Sequence, residues 1–208
     1  MDILSVEEAT QRFYSALTDV TGWKFLKSRR CLKKDVGRLS FEIQFSTSKW
    51  NGSYKNVEIN AVFRLINKDY GTLPVNNVVA YYAYHPELYG ADGGYWYDIS
   101  TDESLSASID DISKRIRGTA LWLCSEFEKD RVNAVKLLFE HFDEYSVSLD
   151  FVSDILGMEH IRQKARQIYA GLSDDMKKQA EDYRNGIRNK TWMLNRSNLR
   201  FIIDNDLA

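Results

Sequence analysis

Two runs of strict alternation, with a short polar segment between them, limit what this chain can fold into more than any other feature. In the first run Leu39, Phe41, Ile43 and Phe45 fall on one side, with Ser40, Glu42 and Gln44 on the other. In the second, Val57, Ile59, Ala61, Phe63 and Leu65 alternate with Glu58, Asn60 and Arg64. A period of two puts all the apolar residues on one face of a β-strand, whereas a helix would scatter them around its axis. The pattern predicts adjacent antiparallel strands over 39–46 and 56–66, with Phe41, Ile43, Ile59 and Phe63 buried and the opposite face polar. Asn51, Gly52 and Ser53 supply turn chemistry between the runs. Trp50 and Tyr54 lie beyond the alternation, at the tip of this hairpin, and are expected to face solvent.

Helical signals flank the hairpin. Ser5 and Glu8 fit a capping box, followed by an apolar stripe at Val6, Ala9, Phe13, Leu17 and Val20, with Gly22 placed to end the helix. "WKFLKSRRCLKKDV" predicts an exposed first strand, then a tight turn at "DVGR". "NVVAYYAY" is β-branched and aromatic, as the next strand would be. Residues 85–97, "HPELYGADGGYWY", predict a glycine- and aromatic-rich loop. Ser100 and Glu103 fit a second capping box, opening a long stripe at Leu105, Ile109, Ile112, Ile116, Leu123 and Phe127. A further helix is marked by Val132, Val135, Leu138, Phe139 and Phe142, then a short one in "SLDFVSDILG", ended by Gly157. Two more are predicted around 158–170 and 173–186, and the tail is apolar enough to dock.

Strands and helices are segregated along the chain, so the fold class is α+β. The expected architecture is an N-terminal helix and an antiparallel sheet of four to five strands. A long helix packs on one face of that sheet, and a helical C-terminal segment follows. The expected domains are an α+β unit over 1–150 and a helical extension over 151–208, packed on it.

The order of these segments resembles a bacterial family catalogued as domain of unknown function 4304. The likeness lies in the first helix leading to "GWKFLKSRR", then "LSFEIQFSTS" and "VEINAVFRL", and a "YWYDI" segment entering a helix through "STDESL". It covers roughly residues 5 to 145 and leaves roughly the final 60 residues outside. The resemblance implies the α+β architecture and carries no known chemistry. By analogy of context it also implies an immunity role, since some small families of this kind protect against bacterial toxins.

Composition narrows the function classes. A formal charge of −2 and a pI near 6.0 give no global field for nucleic acid or an anionic membrane. No stretch approaches the ~20 apolar residues that span a bilayer, and the acidic start of the chain is unlike a signal peptide. Cys31 and Cys124 are far apart and without metal-ligand or redox spacing, as free thiols in a reducing compartment would be. These observations predict a cytoplasmic protein.

Catalytic signatures are missing from the pattern. His85, His141 and His160 share no metal-binding spacing, and no metal or other cofactor is expected. Cys124 sits one residue past the apolar stripe of its helix, as a small core residue would. Gly90, Gly93 and Gly94 form no phosphate-binding loop. Asp110 and Asp111 are adjacent, as are Asp143 and Glu144, and neighbours on a helix do not face each other. The expected function is non-enzymatic binding of another protein, as a monomer or homodimer. Its contact candidates are Trp50, Tyr54, His85, Tyr89, Tyr95 and Trp96, because tyrosine and tryptophan anchor interfaces.

Two alternatives stay open. One is an enzyme or small-ligand binder with its site near His85, Trp96 and Asp98. The other is nucleic-acid binding through Arg184, Arg188, Lys190, Trp192, Arg196 and Arg200. Residues 98–154 hold 13 acids and 6 bases, and residues 158–200 hold 10 bases and 5 acids. That imbalance predicts first that the basic tail packs on the acidic middle.

Overall fold

The computed structural model describes residues 3–70, 77–85, 96–187 and 198–208. Helix α1 (Val6–Thr21) buries Ala9, Phe13 and Leu17; the Ser5 side chain accepts a hydrogen bond from the Glu8 N–H, and Gly22 closes the helix at φ 64°. The first basic stretch is two strands, not one. β1 (Lys24–Leu26) and β2 (Cys31–Val36) pair across a tight turn at Lys27–Arg29, which Arg30 ends in the left-handed region. The predicted exposure also fails there, since Cys31 and Leu32 are buried. β1 is one edge of the sheet, and Lys24 on it, with Lys27 in the following turn, discourages pairing with another chain.

The hairpin forms as the alternation predicts. β3 (Leu39–Thr47) and β4 (Glu58–Asn67) are antiparallel, with Ile43 opposite Phe63, and Phe41, Ile43, Ile59 and Phe63 are fully buried. β5 (Val78–Tyr84) pairs with Ala61–Ile66, and β6 (Tyr97–Asp98) with Glu58–Ile59 on that same side of β4. The sheet is therefore six-stranded.

The helices after the sheet are α2 (Asp102–Ile116), α3 (Trp122–Lys129), α4 (Arg131–Glu140), α5 (Phe142–Tyr145), α6 (Leu149–Leu156), α7 (Met158–Ala170), α8 (Asp174–Arg184) and α9 (Asn198–Asp204). The α2 cap lies one residue later than predicted. Thr101 and Ser104 form the reciprocal box. The Ser100 hydroxyl is engaged elsewhere, accepting from the Val57 N–H at 2.8 Å. Between α2 and α3 the chain makes a π-helical turn, Arg117–Leu121. The buried Tyr84 hydroxyl meets Thr119 Oγ1 there at 2.8 Å.

Aromatic rings join the layers. Phe13 of α1 packs edge-on to Phe45, Phe127 of α3 to Phe41, and Tyr145 of α5 to Phe63, at centroid distances of 5.6–6.3 Å. The helices beyond residue 150 share this core through Phe151, Val152, Ile161, Ala165, Ile202 and Leu207. The tail is tied to the acidic middle chiefly by these apolar contacts, with Lys164–Asp143 adding an ion pair at 2.8 Å. Asn198 at the start of α9 donates to the Val147 carbonyl and accepts from the Leu149 N–H, both at 2.8 Å. Ala180, Leu199 and Ile203 make a separate small cluster that holds α8. Among the described residues no helix is long and apolar enough to cross a membrane.

The sheet face away from the helices departs from expectation. Glu42 is only 1% exposed, although it lies on the polar side. Arg29 and Arg64 close over it, each placing a guanidinium nitrogen on Oε2, at 2.8 and 3.3 Å. The Gln44 side-chain amide donates to the Arg29 carbonyl at 2.8 Å, which ties the turn carrying Arg29 to the sheet.

Candidate functional site

The chain between β3 and β4 does more than turn. Asn51 splints it: its side-chain amide donates to the Glu58 carbonyl, and its Oδ1 accepts from the Glu58 N–H, both at 2.8 Å. The Ser48 hydroxyl accepts from the Trp50 N–H at 3.2 Å, and Gly52 and Asn56 form an isolated antiparallel bridge. The tip is also fastened to the helical layer. The Tyr54 N–H donates to the Leu4 carbonyl at 3.4 Å, and the Ser53 hydroxyl accepts from the Val6 N–H at the start of α1. Val57 is buried at the base of the loop.

On this fastened backbone the two rings stand outward. Trp50 is 75% and Tyr54 70% exposed, the two most exposed large apolar side chains among the described residues. Tyr54 also carries the left-handed backbone of the turn, at φ 64°, in place of the neighbouring Gly52. A bulky residue in that region is uncommon and costs about 1–2 kcal/mol. The hydrogen bond from its N–H to Leu4 helps hold it there. The Lys49 ammonium lies 4.9 Å from the centroid of the Trp50 ring.

The other candidates are differently placed. His85 is exposed at the end of β5 and Trp96 is half-buried just before β6. Tyr89 and Tyr95 lie outside the described residues. Nearby, Tyr84 and Tyr97 are core residues. The Tyr97 hydroxyl donates to Asp111 at 3.0 Å, and Arg115 holds the same carboxylate oxygen at 2.9 Å. Burial, followed by the Asp111 charge, pushes the Tyr97 phenol well above its ordinary value. Asp98 Oδ1 accepts from the Ser100 N–H at 2.9 Å, so it braces the entry to α2. These groups hold the sheet edge to the helical layer.

Of the basic tail, Arg184 pairs with Asp206 at 3.8 Å and Arg200 with Asp204 at 3.3 Å. Arg188, Lys190, Trp192 and Arg196 lie outside the described residues. His141 contacts Glu144 at 3.3 Å, His160 is exposed, and no cluster able to hold a metal occurs among the described residues. Cys31 and Cys124 are both buried free thiols, and burial pushes Cys124 up to about 11. A thiol so raised is protonated near neutral pH and is a poor nucleophile.

No family model, no curated protein and no solved structure matches this chain.

The hairpin tip thus presents two exposed rings on a loop whose backbone is fastened by hydrogen bonds. Rings held on a braced loop lose little freedom when a partner covers them, so more of their burial appears as affinity. Sequence pattern alone marked Trp50 and Tyr54. It marked Asn51 and Ser53 only as turn residues, and the Ser53 bond to Val6 depends on where the loop meets α1. The Asn-Gly pair was a turn signal, and its second meaning, a side-chain splint across the loop base, has no local signature.

Proposed function

We propose that this chain is a non-enzymatic cytoplasmic protein that binds another protein through the tip of the β3–β4 hairpin. The observation that carries the reading is the pairing of two exposed aromatic rings with a backbone fastened at both ends of the loop. Free surfaces gain nothing from such an arrangement, whereas an interface gains a pre-ordered anchor, and a central aromatic contributes ~2 kcal/mol or more. The likeness in segment order to domain of unknown function 4304 supports an immunity or defence version of the same role. Capture from a lysate of the native host, followed by mass spectrometry, tests it. The wild-type chain should retain a protein that the Trp50→Ala, Tyr54→Ala variant, equally folded, does not. Equal capture by both would place the contact surface elsewhere.

A further inference from the structure

The charges around the tip say what kind of surface it meets. Lys49 and Lys55 are the only charged residues from Ser48 to Val57, and both are exposed. Neither has an ion-pair partner among the described residues, and the Lys49 ammonium is held over Trp50 instead of a carboxylate. The tip adjoins the starts of α1 and α2, through the Tyr54–Leu4 and Leu4–Ser100 backbone hydrogen bonds. Four acids stand there, Glu7 and Glu8 in the first turn of α1 and Asp102 and Glu103 in the first turn of α2. Each is compensated by the partial positive charge of its helix end. Arg12 also pairs with Glu8 at 3.6 Å and Asp102 at 2.7 Å. The acids are therefore engaged at home, and the lysines of the tip are not.

We infer that the hairpin tip docks on an acidic protein surface, its rings entering an apolar pocket and Lys49 and Lys55 meeting carboxylates at that pocket's rim. The inference rests on the reading of the tip as the contact element. A local carboxylate pattern satisfies two lysines about the rings. A nucleic-acid strand fits less well, because its run of phosphates would extend beyond the tip across Glu7, Glu8, Asp102 and Glu103.

The test uses the full chain and a nuclease-treated lysate of the native host, with a zero-length carbodiimide that joins an amine only to a carboxylate in contact with it. The wild-type chain should capture a protein and become joined to its Asp or Glu through Lys49 or Lys55. Lys49→Arg, Lys55→Arg should keep the capture and lose the joined product. Lys49→Glu, Lys55→Glu should melt at the wild-type temperature and capture at least tenfold less. If the Glu variant captures normally while Trp50→Ala, Tyr54→Ala does not, the acidic surface is wrong and the contact reading stands. If the ring variant also captures normally, or the wild-type chain retains nothing from either treated or untreated lysate, both fall. Capture that nuclease abolishes would assign the tip to nucleic acid and overturn the inference.

Discussion

Two groups of aromatic residues on the same sheet meet opposite fates. Tyr84 and Tyr97, on β5 and β6, turn inward and their hydroxyls find partners on the helical layer, Thr119 and Asp111. Trp50 and Tyr54, at the β3–β4 tip, turn outward and bury little. Residue type does not separate the two groups, but register does. Tyr84 lies opposite Ala61 and Tyr97 opposite Ile59, both on the apolar face of β4, so the pleat sends their rings into the core. The tip lies past the last ladder pair, where no pleat dictates direction, and its backbone is fixed by hydrogen bonds instead. Where burial fixes a ring, the ring stabilises the fold. Where the backbone is fixed and the ring is left out, the ring adds little to the fold, as the proposed contact role requires.

Substitutions that treat both groups alike should break this symmetry. Tyr84→Ala empties a fully buried site and should cost about 3–5 kcal/mol in a urea melt. Ile112→Ala, beneath the same sheet, should cost about 2–5 kcal/mol. A loss below ~0.5 kcal/mol at either position would mean that the helical layer is peripheral to the sheet. Tyr84→Phe is a finer cut. It keeps the ring, removes the phenol oxygen that meets Thr119 Oγ1, and should cost about 0.5–1.5 kcal/mol. Amide exchange across Arg117–Leu121 should rise with it, because the Tyr84–Thr119 contact anchors that turn to the sheet. At the tip the sign reverses. Tyr54→Gly removes a left-handed tyrosine, so relief of about 1–2 kcal/mol outweighs the ~0.5–1 kcal/mol entropic cost of glycine. Melting should show a gain of roughly 0.5 kcal/mol together with weaker capture of the partner. A variant that is destabilised instead would show that the Tyr54 ring packs.

Much of this architecture was legible because it is periodic. The β3–β4 ladder, the α1 stripe and the stripe from Leu105 to Phe127 follow from spacing alone. What escaped depended on contacts distant in sequence. Glu42 reads as a solvent-facing residue until Arg29 and Arg64 are folded over it. Ser100 reads as a helix cap until Val57 and Asp98 claim its polar groups, which shifts the cap to Thr101. The Lys27–Arg29 turn has no glycine or proline to announce it, so β1 and β2 read as one strand. The π-helical turn leaves the apolar spacing undisturbed, and its contact with Tyr84 comes from another layer. At the candidate site, the exposure of Trp50 and Tyr54 was legible from their place beyond the alternation. The fastening of that loop to Leu4 and Val6 was not, because it needs the packed helix.

The smallest expected effect tests the account most directly. Trp50→Ala, Tyr54→Ala removes two large rings at once, a change that would be ruinous in the core. Both are exposed and neither side chain supports the ladder, so unfolding in urea should shift by less than ~0.5 kcal/mol. A loss above ~2 kcal/mol would place the rings among the structural residues and leave the hairpin with no purpose beyond the sheet.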